Sequence, residues 1–266
     1  KSEEVLKKEM PDAILVLGDT NSALAAIISK RMKIPIFHME AGNRSFDENV
    51  PEEVNRKIVD HISDINLPYS ENARLYLMQE GIHPGTIYVT GSPMAEVWEC
   101  YKNDVEKSQI LKELKLEKVK YFVASIHREE NVDTKESLKK LMDALNAVAE
   151  IYKMPIIMSV HPRTRNRLDE YKFEINKLIN LHKPFGYFDY NNLQLNAFCV
   201  LSDSGTIQEE SSIMGFPAIQ VRENSERPEA FDEGVLILSG LDKNVILQAI
   251  DITTKQVAAG EKFNIP

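Results

Sequence analysis

The sequence predicts an α/β protein built on parallel sheets covered by helices. Three observations carry that expectation. Short apolar runs of strand length recur along the whole chain, and amphipathic helical stretches alternate with them. Chemically capable residues also stand just past the ends of the runs, at Asp19, Glu40, Ser92, His127, His161 and Ser204. Open parallel sheets bind ligands outside the carboxyl ends of their strands. With 266 residues, 43% of them hydrophobic, the chain can bury a large core, more comfortably as two domains than as one.

Taken in order, SEEVLKKEM opens as a helix and AILVLG (13–18) is the first strand. The helical stretch NSALAAIISKRM leads to strand IPIFHM (34–39), and PEEVNR (51–56) opens a further helix. INLPYS (65–70) and TIYVTG (86–91) complete the strands of the first half. The charged stretch Glu99–Lys120 has no strand-like run, which places a boundary near Val97 and predicts domains 1–97 and 98–266. The second half offers strands YFVASI (121–126), PIIMSV (155–160), CVLSD (199–203), PAIQVR (217–222) and VLILS (235–239). Helices ESLKKLMDALNAVAEIY and NVILQAIDITTKQVAA fall among them. The opening helix leaves the first domain few strands, so an N-terminal βα segment is expected to be missing.

Composition narrows the function. A net charge of −9 argues against a nucleic-acid surface, which needs a basic stripe. Cys100 and Cys199 lack metal-ligand spacing and sit beside apolar residues, so both are expected to be buried. Neither a signal peptide nor an apolar run of the ~18 residues a membrane span needs is present, and a soluble cytoplasmic protein with no membrane partner is expected. Histidines and carboxylates are scattered without tight spacing such as HExxH, so no catalytic metal is expected.

The richest segment is IPIFHMEAGNRSFDENVPEEVNR (34–56), with one His, five acidic residues and two Arg after an apolar strand. GDT (18–20) and HMEAGNR (38–44) set carboxylates at two strand ends, and PEEVNR adds Glu52 and Glu53. Clustered carboxylates can push one another's proton affinity apart, giving one acid and one base in a single cleft. Glu52 and Glu53 also suit a helix N-terminus on electrostatic grounds alone. SDSGTIQEESSIMGFP (202–217) reads as strand, turn and helix: Ser204, Thr206 and the helix-start N–H groups suit a diphosphate, Gly205 permits close approach, and Glu209 or Glu210 suits ribose hydroxyls. No Walker lysine follows, which argues against an ATPase. SIHREEN (125–131) and SVHPRTR (159–165) each put a His after a strand with Arg close by, and RENSERPEAF (222–231) adds Arg222 and Arg227 as phosphate contacts.

Together these motifs resemble the non-hydrolysing UDP-N-acetylglucosamine 2-epimerase family. The resemblance rests on LGDT (17–20), HMEAGNRSFD (38–47), PEEVNRKIVDHISD (51–64), TGSP (90–93), HREEN (127–131), SDSGTIQEE (202–210) and ERPE (226–229), and runs across nearly the whole chain. It implies a glycosyltransferase-B-like fold of two Rossmann-like domains with a nucleotide sugar in the cleft between them. The implied chemistry inverts C2 of the sugar by anti elimination of UDP, through a 2-acetamidoglucal, and re-addition from the other face, with no cofactor. Asp19, Glu40, Glu52 and His127 carry over as catalytic candidates. The carboxylates would serve acid–base transfer at C2, their individual roles open, and His127 would stabilise the departing UDP. Ser204, Gly205 and Glu210 match nucleotide-binding positions, with Arg44, Arg56, His161 and Arg227 as further substrate contacts. A UDP-sugar is the implied partner and a homodimer the implied assembly.

Two departures qualify the resemblance. The family's opening strand with its G-T-R-P-E-like loop has no counterpart here, nor does its closing C-terminal helix. EAGNRSFD with SIHREENVD looks closer to the branch that converts UDP-2-acetamido-2,6-dideoxy-L-talose to UDP-N-acetyl-L-fucosamine, Asn43 standing where leucine is usual. Competing functions are a glycosyltransferase of the same fold class, a hydrolysing epimerase, and a UDP-sugar-binding fragment without activity.

Overall fold

The computed structural model describes residues 1–48, 50–222 and 236–259. It forms two compact units that divide between Pro93 and Met94, so the helix containing Val97 begins the second unit.

The first unit runs α1 (Ser2–Glu9), β1 (Ile14–Leu17), a 3-10 turn (Asn21–Leu24), α2 (Ala25–Arg31), β2 (Ile36–Met39), α3 (Pro51–Ile62), β3 (Ile65–Leu67) and α4 (Glu71–Gln79). Its three strands are parallel in the order β1-β2-β3, with Val16 opposite His38 and His38 opposite Asn66. Ala23, Ala26, Ile36 and Val59 form its main apolar core. Pro51 starts α3 with no N–H to waste, and Glu52 and Glu53 follow in the first turn, where the helix dipole favours anions. Ser70 caps α4 by accepting from the Ala73 N–H.

TIYVTG, expected as a strand, makes only a parallel bridge between Asn66 and Ile87. Tyr88 N donates to Asn66 O and Thr90 N to Pro68 O. The return bond of a parallel ladder would come from residue 68, and proline has no N–H to give. The ladder therefore stops.

The second unit runs α5 (Met94–Lys107), α6 (Ile110–Glu113), β4 (Phe122–Ser125), α7 (Glu129–Val132), α8 (Lys135–Tyr152), β5 (Ile156–Ser159), α9 (Pro162–Tyr171) and β6 (Ile179–His182). It continues with α10 (Tyr187–Leu195), β7 (Cys199–Ser202), α11 (Ile207–Met214), β8 (Ala218–Gln220), β9 (Ile237–Leu238) and α12 (Lys243–Ala258). The sheet is parallel throughout in the order β6-β5-β4-β7-β8-β9. Strand order reverses at β4 and β7, the position at which open sheets present a crevice. Both faces are covered. Phe122 and Ala124 pack with Leu138, Leu145 and Ile246 on one side, while Tyr121 and Val123 meet Leu193, Ile207 and Phe216 on the other. Burial on both faces is why these strands read as continuous apolar runs.

Strand β6 was not expected, because it lies at an edge and, of INLH, only Ile179 is buried. VLILS shortens to Ile237–Leu238 within the described residues, at the opposite edge. Cys199 is buried, but Cys100 is exposed, which corrects the expectation that both are inside. Helix α5 buries only Val105, so the apolar neighbours of Cys100 belong to a half-covered face. No described helix is long and apolar enough to cross a membrane.

Gly42 has φ +81, and a Cβ there would lie 2.4 Å from the Ala73 carbonyl oxygen and 2.9 Å from Leu77 Cγ. Gly81 has a similar φ of +91 with nothing within 4 Å of an added Cβ. Gly42→Ala should therefore cost about 3 kcal/mol, strain plus overlap, while Gly81→Ala costs about 1 kcal/mol from strain alone. Urea unfolding of the two variants checks the difference; equal losses would refute the close-packing account.

Candidate active site

In the first unit the exits of β1 and β2 lie side by side, with Gly18 N donating to Met39 O at 3.1 Å. Asp19 follows β1 and Glu40 follows β2. Gly18 has φ +71, and a Cβ on it would lie 3.3 Å from Glu40 Oε2, so glycine lets the carboxylate lie against the neighbouring strand end. Glu40 itself sits in the left-handed region at φ +63, at a cost of about 1–2 kcal/mol for a residue with a side chain. Asn43 Nδ2 lies 3.5 Å from Glu40 Oε1.

Asp19 Oδ2 accepts from Arg56 Nε at 2.9 Å and also from Arg56 Nη2. Arg56 Nη1 donates to Glu53 Oε2 at 2.9 Å, and the same oxygen receives the Ser45 N–H and hydroxyl at 2.9 and 3.1 Å. Asn55 Nδ2 donates to the Asp19 carbonyl at 3.0 Å. Glu52 shares the first turn of α3 and is exposed, whereas Glu53 is fully buried.

Beneath these residues lies a buried polar chain. His38 Nδ1 is 2.7 Å from Asp60 Oδ1 and His38 Nε2 is 3.0 Å from the Gly18 carbonyl oxygen. Asp60 also accepts the Gly42 N–H, at 3.2 and 3.3 Å to its two oxygens, and Arg44 Nη1 at 2.8 Å. Arg44 then grips Glu80 through Nε at 2.7 Å and Nη2 at 2.5 Å, and donates to Asn43 O at 2.7 Å. Burial alone would make the Arg44 guanidinium easier to deprotonate, but the Glu80 hydrogen bond and the Asp60 charge hold it above its ordinary range. The Arg44 hydrogen bond in turn holds the Glu80 carboxyl below the usual carboxylate range.

Arg44 was expected to contact substrate. It is instead enclosed, with its donors turned to protein acceptors, because loop 40–44 folds inward over Asp60. Arg56 is likewise buried and holds Asp19 and Glu53. Sequence reasoning missed His38, Asp60 and Glu80. A signal existed: Glu53, Arg56 and Asp60 recur at helical spacing on one face of α3, and His38 interrupts an apolar strand.

In the second unit His127 follows β4, His161 follows β5 and Ser204 follows β7, on adjacent strands whose ends are in register at Ser125, Ser159 and Ser202. Asp203, completely buried, organises this edge. Its carboxylate accepts His127 N at 3.0 Å, Arg128 N at 2.8 Å and Asn131 Nδ2 at 3.1 Å, and lies 3.2 Å from His127 Nδ1. The His127 ring is half exposed. Ser204 Oγ meets Thr206 Oγ1 at 2.9 Å, and Thr206 Oγ1 donates to Glu210 Oε1 at 2.7 Å. Gln194 Nε2 holds the other Glu210 oxygen at 2.9 Å. Helix α11 has no side-chain cap at Thr206, and helix-start N–H groups of this kind bind anions. Burial pushes the Tyr190 hydroxyl up, next to Ser125, Glu210 and Asp203. His161 is exposed and caps α9, its Nδ1 accepting from Arg163 N at 3.4 Å. Arg227 lies outside the described residues.

The model of one family, described as UDP-N-acetylglucosamine 2-epimerase, matches residues 1–264. The chain belongs to the UDP-N-acetylglucosamine 2-epimerase family. A solved family structure from Rickettsia bellii is 47% identical, with TM-score 0.88 over 95% of this chain and 67% of that one. The Methanocaldococcus jannaschii enzyme, crystallised with UDP-GlcNAc and UDP, is 39% identical with TM-score 0.88, over 99% of this chain and 73% of that one. A Pseudomonas aeruginosa relative, UDP-2,3-diacetamido-2,3-dideoxy-D-glucuronate 2-epimerase, is 31% identical over 93% of this chain and 69% of its own length. The family and the glycosyltransferase-B-like fold class expected from the motifs are therefore upheld.

The folded Glu80 carboxyl releases its proton more readily than the unfolded one, so the Arg44–Glu80 pair stabilises the family fold above the ordinary carboxylate range. That contribution fades as pH falls from about 4.3 through the lowered folded value. Glu80→Gln should cost about 2 kcal/mol at pH 7, with the gap to wild type narrowing as pH falls below the ordinary carboxylate range. Unfolding midpoints measured across that range check it; a gap that stays constant with pH would contradict the pairing.

Proposed function

We propose that this chain epimerises a UDP-2-acetamido sugar at C2, with UDP-N-acetylglucosamine and UDP-N-acetylmannosamine the first pair to test. The reaction proceeds by elimination of UDP across C1–C2 and its re-addition at C1, with the proton returned to C2 on the opposite face and no release of free sugar. The observation that carries the reading is the pair of carboxylates at adjacent strand exits, Asp19 held by Arg56 and Glu40 beside Asn43. Proton removal from C2 on one face and return on the other needs two such groups in unlike surroundings. Glu52, exposed at the start of α3, is the third catalytic candidate.

The division of labour assigns sugar chemistry to the first unit and UDP to the second. His127, steadied by Asp203, stabilises the leaving diphosphate, while Ser204, Gly205 and the start of α11 receive it. Glu210, fixed by Thr206 and Gln194, accepts the ribose hydroxyls. His161 and Arg227 are assigned to the phosphates. Arg44 and Arg56 act through the residues they hold. The reading brings with it a homodimer, a cytoplasmic location and a supply of sugar for surface polysaccharide, all from the family resemblance.

A second substrate, UDP-2-acetamido-2,6-dideoxy-L-talose, is favoured by Asn43, which sets a buried amide beside Glu40. The Pseudomonas aeruginosa relative is named for a different UDP-acetamido sugar, which supports variation at the sugar within one scaffold.

Proton NMR in deuterated water, with each sugar in a separate tube, tests both. Deuterium at C2 with a new epimer signal is expected, and the faster tube names the substrate. Asp19→Asn and Glu40→Gln should each lower turnover at least ~100-fold while UDP still binds. Bound UDP without C2 exchange would replace the proposal with a glycosyltransferase or an inert binder, and accumulation of free sugar with a hydrolysing epimerase.

A further inference from the structure

The buried imidazole of His38 has an oxygen acceptor on each side. Nδ1 faces the Asp60 carboxylate at 2.7 Å and Nε2 faces the Gly18 carbonyl at 3.0 Å. A backbone carbonyl only accepts, so Nε2 must carry a proton. Asp60 only accepts as well, because both its oxygens are already approached by donors. Gly42 N–H reaches each of them, and Arg44 Nη1 reaches Oδ2. The Arg44 guanidinium, 2.8 Å away, and the Gly42 N–H both favour the ionised carboxylate, so the proton between Nδ1 and Oδ1 rests on the ring. Nδ1 must therefore donate too.

Charge agrees with this assignment. His38 and Arg44 supply two positive charges, Asp60 and Glu80 two negative ones, and the buried chain closes neutral. With a neutral imidazole the four groups would carry a net negative charge, partly screened at the half-buried Glu80, and one ring nitrogen would set a lone pair against an oxygen. Either fault is costly where water cannot repair it.

We propose that His38 is a positioning residue for the epimerisation, held as an imidazolium whose two donations fix the separation of Asp19 and Glu40. One donation fixes the carbonyl immediately before Asp19. The other passes through Asp60 to the N–H of Gly42, two residues after Glu40. His38 belongs to the strand between β1 and β3, so it ties the β1 exit to α3 from inside the sheet. The role rests on the C2 epimerisation proposed above, but the protonation state does not.

Two readouts separate those layers. In protein carrying 15N-labelled histidine, with the six histidines sequentially assigned, His38 should show a directly bonded proton on both ring nitrogens at pH 7.5. A proton on one nitrogen only would overturn the proposal, whatever the protein catalyses. His38→Gln replaces two opposed donations with one amide. Its kcat should fall about 100-fold, the cost of a displacement near 1 Å between reacting groups. KM should stay within roughly threefold and UDP affinity by calorimetry should not change, since ground-state binding is not what is lost. Unchanged kcat in folded His38→Gln would overturn the positioning role. If His38→Gln does not fold, the wild-type spectrum still decides. Absence of C2 exchange in the wild type would count against the epimerase reading, with the spectrum still reporting on His38.

Discussion

The first unit depends on one carboxylate. Asp60 lies on α3 with no access to solvent, and three neighbours turn to it: His38 from the sheet, and Gly42 and Arg44 from the loop after β2, with Glu80 linked at one remove through Arg44. Its apolar core is small, with Ala23, Ala26, Ile36 and Val59 at its centre. A small core leaves orientation to directional bonds, and directional bonds in a dry interior are strong when complete and costly when broken. The same carboxylate that joins helix to sheet therefore also decides where the Glu40 loop can lie.

The second unit solves a related problem with Asp203. Here the core is large and covers both sheet faces, so the aspartate is needed only at the strand ends. By accepting two successive backbone N–H groups after β4, it turns the chain sharply enough to present the His127 ring outward. In both units a buried aspartate shapes a loop whose own candidate side chain, Glu40 or His127, stays at least partly accessible. The buried group supplies geometry, and the accessible group is left for chemistry.

Much of this was legible in the sequence, and the reason is physical. Strands buried on both faces, such as Phe122–Ser125 and Cys199–Ser202, announce themselves as unbroken apolar runs. An edge strand such as Ile179–His182 does not, because only one of its four side chains is buried. TIYVTG had the composition of a strand, and a single proline on its neighbour stopped the ladder, a pairwise effect that no one-dimensional pattern carries. The site showed the same division. Residues at strand exits were found by position alone, whereas the partners of Arg44 lie 16 and 36 residues away and only folding brings them in. At Arg44 the ion-rich loop folds inward and encloses the guanidinium, a burial that its composition does not announce.

The left-handed backbone at Glu40 has a consequence beyond the placement of one side chain. Natural selection for stability alone would replace that glutamate with glycine or asparagine, which adopt the conformation more easily. Keeping it means holding a local conformation the chain resists, against a steady drift of mutations that would relax it. Under the role proposed for Glu40, position 40 is a site where a firmer protein and a working one part company. Descendants freed from the need for activity should lose the glutamate there early, while the buried aspartates that shape the fold persist.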